Sequence, residues 1–395
     1  MGTGKTIQAL GVINLDQSIK SVLVVVPATI KINWKREAKK WLVRPMSVYI
    51  VDGRNAKPSD ADIVIVNYDL LAGKGKEQLL GWLTQRSWDL LICDEVQVIK
   101  NPDAQRTIAL LGKWDRAKKV QDGLVDRATQ KLMMSGTPAL NRPIELWGLI
   151  QTLLPGRFTF WHYVKRYCNA TQERIWNGRA YQTVWDFSGS SNMAELQQIL
   201  RANVMLRRLK KDVLSELPPK TRAMFLLQGD EGGDASEAEV EQIRRIELCK
   251  AADEMDSATT AAFEAMSIDR LRIGLAKVPH VIEHVEEILE GSDEKVLLLA
   301  HHHEVEDQLL AHFGSKAVLL SGRESATQKQ AAVDRFQSDP TCRVFVGSIL
   351  AAGVGLTLTA AARGVFAELA WRPSDHVQAE DRTHRIGQTN PVIVE

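Results

Sequence analysis

Short, unbroken apolar runs rich in β-branched residues recur along the chain: "SVLVVV" at 21–26, "ADIVIV" at 61–66, "WDLLIC" at 88–93 and "KLMMS" at 131–135, then "KVLLLA" at 295–300, "AVLL" at 317–320, "RVFVG" at 343–347 and "GVFAEL" at 364–369. A strand that is apolar at every position has no face to offer water. Such runs alternating with helical stretches therefore predict parallel sheets covered on both sides. The two groups of runs predict two α/β lobes. Residues 154–289, between them, are rich first in aromatics and then in charged helix formers, with no strong strand run, and are read as helical insertions. The boundary is placed in "ELPPK" at 216–220, where two prolines stop a helix and stiffen the crossing, giving lobes of 1–217 and 218–395. The acidic, glycine-rich "GDEGGDASE" at 229–237 is read as a solvated loop. No internal repeat of solenoid period is present.

Composition narrows the class without naming it. With 395 residues, 45% hydrophobic and 25% charged, and a formal net charge of +1, the chain reads as globular and not as a polycationic tail protein; any nucleic-acid surface must be built by position. Cys93, Cys168, Cys249 and Cys342 lie far apart with no Cys-x-x-Cys pair, which suggests neither a zinc knuckle nor a disulfide framework and fits a reducing interior. No apolar run approaches the roughly 20 residues of a membrane span, and the first residues are unlike a signal peptide. An intracellular protein is expected, in the cytoplasm or nucleoid of a prokaryotic or viral system or the nucleus of a eukaryote, with no membrane partner.

Three stretches of the first lobe carry chemistry. "MGTGKTIQAL" at 1–10 supplies Gly2, Thr3, Gly4, Lys5 and Thr6, the makings of a phosphate-gripping turn. Backbone N–H groups and a helix N-terminus face the anion, a lysine adds a full charge, and a hydroxyl holds Mg²⁺. Lys5 would reach the β- and γ-phosphates of ATP and Thr6 the metal; a flexible glycine start before an amphipathic helix is the alternative. "LLICDEVQVIKN" sets Asp94 and Glu95 at the end of an apolar strand, where an open α/β sheet presents its ligands. Asp94 would hold Mg²⁺ through water and Glu95 would polarise the attacking water; a helix cap would also account for the pair. "LMMSGTPALNRPIELW" closes another strand with Ser135, Gly136 and Thr137, which turn chemistry alone could explain. Near the other end, Arg382 and Arg385 of "HVQAEDRTHRIGQTNPV" are three apart and are expected to share a helix face. They would be either a solvated face or arginines that neutralise charge building on a transferring phosphoryl group.

In that order, with "VFVGSILAAGVGLTLTAA" before the last stretch, the chain resembles the paired RecA-like motor of the Swi/Snf-type ATPases within helicase superfamily two. Through "MLRRLKKDVLSELPPK", "WDFSGSSN", "LAHHHEV" and "FAELAWRP" it is most similar to the annealing-helicase branch, the HepA-related enzymes that rewind DNA and remodel forks. The resemblance implies an ATP- and Mg²⁺-dependent translocase on double-stranded or branched DNA, catalytic roles for Lys5, Asp94, Glu95, Arg382 and Arg385, and nucleotide contacts at Gly355 and Gln378. It implies DNA backbone contacts at Pro27 in "PATIKINW", Asn67 and Tyr68 in "VNYDLL", and Ser348, Gly353 and Thr357. Contact with phosphates, without reading of base edges, suits a motor that must not stall at favoured sequences. Protein partners are not implied.

Two departures from the family pattern stand out. Gln97 occupies the position that usually carries histidine, so the link from the γ-phosphate to Ser135, Gly136 and Thr137 must run through an amide. And the family has a strand and an adenine-binding segment before the "MGTGKT" position. Met1 stands there, so the expectation is a first lobe truncated at its N-terminus, with ATP chemistry encoded but poorly supported, and a second lobe truncated after "PVIVE". His301, His302 and His303 are read as strand-end residues and not as a metal site. The competing expectations are a strand-separating DNA or RNA helicase, and a truncated relative that binds DNA without turnover.

Overall fold

The computed structural model describes residues 2–115, 118–136, 142–176, 180–225, 255–349, 356–370 and 373–395. The chain divides into two compact units, Thr3–Val213 and Leu214–Glu395, with Gly2 grouped with the second.

In the first unit the apolar runs become β1 (Val22–Val26), β3 (Ile63–Asn67), β4 (Trp88–Asp94) and β7 (Ala128–Met134), joined by a short β2 (Val48–Ile50). The sheet runs β2-β3-β1-β4-β7, and every pairing in it is parallel. All five positions of β1 and of β3 are buried, as a strand covered on both faces requires. Leu23, Val25, Val64, Val66, Leu91 and Cys93 feed one core together with Trp82, Trp88 and the aromatic helix Phe160–Tyr167. Because the strands are parallel, Pro27, Asn67, Asp94 and Ser135 all fall at or just beyond their carboxyl ends, along one rim of the sheet. A small antiparallel pair, β5 (Lys113–Asp115) with β6 (Lys118–Gln121), precedes β7.

Among the described residues, 154–289 differ from expectation at two places, an antiparallel hairpin and the short strand Lys220–Arg222 that joins the second sheet. They contain the helices Phe160–Tyr167, Met193–Asn203 and Met255–Gly291, but also an antiparallel hairpin, β8 (Thr171–Trp176) with β9 (Tyr181–Asp186). Its described residues are exposed over most of its length, so no buried apolar face marks it; the sequence signal is the Asn177-Gly178 turn dipeptide between two alternating runs.

The second unit carries a six-stranded parallel sheet of β10 (Lys220–Arg222), β11 (Lys295–Ala300), β12 (Ala317–Leu320), β13 (Val344–Ser348), β14 (Ala361–Phe366) and β15 (Val392–Val394), in the order β10-β15-β14-β11-β13-β12. Alternate residues of β11 serve two cores. Val296, Leu298 and Ala300 pack with Val278, Val281 and Val285 of the long helix, whereas Leu297 and Leu299 pack with Phe336 and Phe345. The residues following "ELPP" thus enter the second sheet as its edge strand. No helix among the described residues is long and apolar enough to cross a membrane.

Candidate functional site

The phosphate-loop residues open the helix Lys5–Leu15. Gly2 and Gly4 hold positive φ of 70° and 80°, a region that costs glycine nothing and other residues energy. Gly4 is the helix N-cap, no side chain caps it, and the first turn contains no acid. The N–H groups of that turn, with the positive end of the helix dipole, therefore form a site suited to an anion. Thr3 accepts from the Gln8 amide through its carbonyl (2.8 Å), which braces the loop on its own helix; Thr6 lies in the first turn, half-buried.

Lys5 reaches across to the end of β4, where its Nζ stands 3.4 Å from Glu95 Oε1. Asp94 and Glu95 are 5% and 8% exposed. Glu95 has a left-handed backbone (φ 55°, ψ 53°), a strained conformation of the kind that persists where the surroundings over-determine it. Asp94 Oδ1 accepts from the Glu95 N–H (3.0 Å) and Oδ2 from the Trp34 indole N–H (3.1 Å). Burial, and then the neighbouring Glu95 charge, push the Asp94 carboxyl above its ordinary range. Two adjacent buried carboxylates with one lysine beside them form a cluster short of positive charge and offering hard oxygen donors. That chemistry fits Mg²⁺.

From Glu95 the network continues through Gln97. The Gln97 amide donates to Glu95 Oε2 (2.7 Å), and its carbonyl oxygen accepts from Ser135 Oγ (2.7 Å) at the end of β7. Lys5, Glu95, Gln97 and Ser135 thus form one continuous polar chain. Gln97→Leu, which keeps the bulk and removes both hydrogen bonds, is expected to lower stimulated turnover by about tenfold while leaving nucleotide affinity within a few-fold. A turnover equal to wild type in a stimulated ATPase assay would show that the chain does not transmit.

Other expected positions resolve differently. Tyr68, expected along a DNA groove, is 1% exposed, and its hydroxyl donates to the Asp94 carbonyl (2.7 Å). It is a core residue behind the carboxylates, because the turn Tyr68–Leu71 folds the ring inward. Trp34, in the stretch of Pro27, is equally buried on Asp94; nothing in the sequence marks its ring as facing a carboxylate. Pro27 stays half-buried ahead of the turn Ala28–Ile30, and Asn67 is buried with its amide towards Asp69 (3.5 Å). Gly136 is half-buried beside Ser135. Thr137, Gly353 and Gly355 lie outside the described residues.

In the second unit Ser348 closes β13, buried, and half-buried Thr357 accepts from Gln337 through its carbonyl (2.9 Å). Arg382 and Arg385 do not share a helix face: the helix Pro373–Glu380 ends before them and both lie in the turns that follow. They still converge. Arg382 Nε donates to the Gln378 carbonyl (3.1 Å) in the last helical turn, and Nη1 of each arginine points to the Leu356 carbonyl (3.4 Å and 2.7 Å). Buried Glu380 anchors this turn to β10. It accepts two bonds from Arg222 (2.9 and 2.8 Å) and one from Lys220 (2.7 Å), while His384 Nε2 lies 2.8 Å from the Pro218 carbonyl. Burial works to raise the Glu380 carboxyl, but the Arg222 and Lys220 bonds outweigh it and hold the carboxyl below its ordinary value of 4.5. A depressed folded value stabilises the fold above the ordinary value and loses that contribution as pH falls below it. Glu380→Ala is therefore expected to cost about 1–3 kcal/mol near pH 7, a difference that shrinks below pH 4.5 when followed by denaturant titration. Upstream, His302 Nδ1 meets Glu368 Oε1 (2.6 Å) and His303 Nδ1 meets Glu306 Oε2 (2.9 Å), so two of the three histidines are engaged by carboxylates.

The SNF2-related domain matches residues 1–271, and the helicase conserved C-terminal domain matches residues 277–387. The chain belongs to the SNF2-related family. It is 37% identical over 404 residues to a SWI/SNF-related matrix-associated actin-dependent regulator of chromatin subfamily A-like protein 1 of Xenopus tropicalis, covering all of this chain and 39% of that protein. It is 33% identical over 406 residues to the human DNA annealing helicase and endonuclease ZRANB3, covering all of this chain and 35% of that protein. The chain thus spans under two fifths of the length of these SNF2-related relatives. A solved Sulfolobus solfataricus SWI2/SNF2 ATPase core in complex with dsDNA aligns over the whole chain and 81% of its own, with 22% identity and a TM-score of 0.42. Membership of the SNF2-related family implies nucleotide use, which fits the loop and carboxylates found here.

Proposed function

We propose that this chain is a DNA-dependent ATPase that tracks along double-stranded DNA and remodels or reanneals it inside the cell. The observation that carries the proposal is the unbroken polar chain from Lys5 through Glu95 and Gln97 to Ser135, which joins a phosphate loop to the end of a second strand. Gly2, Thr3 and Gly4 would turn N–H groups to the phosphates, Lys5 would neutralise the β- and γ-oxygens, and Glu95 would orient the attacking water. Asp94 and Thr6 would hold Mg²⁺, which, when bound, offsets charge on the phosphate oxygens. Arg382 and Arg385 would supply charge to the γ-phosphoryl group once released from the Leu356 carbonyl, with Gln378 beside the nucleotide. Pro27, Asn67, Ser348 and Thr357 would contact the DNA backbone. The names of the relatives, a chromatin regulator and a DNA annealing helicase, support the substrate class.

ATP hydrolysis measured in parallel with blunt duplex, single-stranded DNA and RNA tests the reading. Duplex is expected to stimulate most, with binding that weakens steeply with salt as phosphate contacts release counterions. RNA acting as the better activator would replace it with a strand-separating helicase.

A further inference from the structure

The hairpin β8–β9 plays no part in the site above, yet it carries an arrangement of its own. In its register Trp176 faces Tyr181, Arg174 faces Thr183 and Gln172 faces Trp185, so these six side chains share one face. Glu173 and Asp186, the acids of the two strands, fall on the other. Trp176 and Tyr181 are 56% and 71% exposed, with ring centroids 5.1 Å apart and planes inclined at 60°, which leaves π-surface of both rings open to water. At the base the same face is anchored. Trp185 packs on Trp161 (5.0 Å), which packs on Phe160 (5.5 Å), which packs on core Trp147 (5.5 Å), and Lys165 Nζ lies 5.9 Å from the Trp185 ring.

A cross-strand aromatic pair could do no more than steady the hairpin. That role gives no reason for the charge to be sorted, with Arg174 and Lys165 along the aromatic face and both acids on the reverse. Open rings interleaved with cations and free of carboxylates suit a polyanion that also presents flat apolar faces: a nucleic-acid strand with unpaired bases. Paired bases bury those faces in the duplex stack, so only a single-stranded stretch or a junction offers them. From Trp185 to Tyr181 the face runs about 14 Å, at about 3.4 Å per residue, with the open rings at its outer end. We propose that this face of the hairpin is a stacking platform for unpaired DNA bases, with Trp176 and Tyr181 as the stacking residues, and that it directs the enzyme towards forked DNA over blunt duplex. The proposal rests on the duplex-tracking function above and gives the branched DNA that the resemblance already implies a place of contact on named residues.

The test compares wild type, Trp176→Ala/Tyr181→Ala and Trp176→Phe/Tyr181→Phe, reading ATP hydrolysis with blunt duplex and with a fork of equal length bearing unpaired arms, and binding to a short oligothymidylate. Wild type is expected to require less fork than duplex for half-maximal activation. The double alanine variant is expected to lose that advantage, with tenfold or more weaker fork activation and oligothymidylate binding and unchanged duplex activation, and the double phenylalanine variant to keep most of it. Equal behaviour of all three proteins on the fork and oligothymidylate would overturn the proposal, as would a parallel loss on fork and duplex in the alanine variant, which would mark the hairpin as structural only. Should wild type show no DNA activation at all, the tracking function fails, and oligothymidylate binding alone decides: a loss confined to the alanine variant upholds the platform, and equal binding overturns it.

Discussion

Glu95→Gln is expected to reduce DNA-stimulated ATP turnover by on the order of 10²–10⁴-fold while nucleotide binding stays within a few-fold of wild type. The substitution is close to isosteric, and the retained carbonyl oxygen can still accept from the Gln97 amide, so the polar chain to Ser135 survives. What disappears is the basic oxygen and the charge facing Lys5 at 3.4 Å. The strained backbone at Glu95 places a side chain of this length against the phosphate loop, and a glutamine occupies the same space. Equilibrium binding of a nucleotide analogue, beside single-turnover hydrolysis, separates the two effects; turnover near wild type would remove Glu95 from the chemistry.

Arg385→Ala is expected to lower turnover by on the order of 10³-fold with ATP binding nearly intact, the behaviour of an arginine that meets charge only as it develops. In the structure its guanidinium donates to the Leu356 carbonyl at 2.7 Å from a half-buried position that water can reach, so the fold should tolerate the change. Arg382 is the poorer test: it is buried and braces the helix end through the Gln378 carbonyl, so truncating it would mix stability with catalysis. Arg385→Lys is not expected to rescue, because an ammonium lacks the planar fork of donors. Normal hydrolysis by the Arg385→Ala protein would sink the proposal that the second lobe contributes to the reaction.

The sheets were legible because burial on both faces writes itself as continuous apolar runs, and β1, β3, β4, β11 and β12 fall within a few residues of those runs. Asp94 and Glu95 were legible for a related reason, since a polar pair ending such a run has nowhere to go but the rim of the sheet. The hairpin β8–β9 was hidden because its strands are exposed over most of their described length and interleave their aromatics with Gln172, Arg174 and Thr183, so no continuous apolar run marks them. The inward turn of Tyr68 was not legible, because its immediate neighbours Asn67 and Asp69 are polar and only the tertiary contact of its hydroxyl with the Asp94 carbonyl shows where the ring goes. The two arginines look helical by spacing alone; the turns that follow Glu380 are held by bonds to β10 and to the segment after β13, contacts between residues far apart in the chain.

Gln97 gives the polar chain a property that an imidazole in its place would not have. An amide neither gains nor loses a proton anywhere in the range that proteins survive, so its donor stays a donor to Glu95 and its acceptor stays an acceptor from Ser135. A histidine there would change charge and bonding as acidity moved through its ordinary range near neutrality. That one link between the phosphate loop and the second strand end is thereby blind to acidity: the Gln97 amide offers the same donor and the same acceptor at any pH the fold survives.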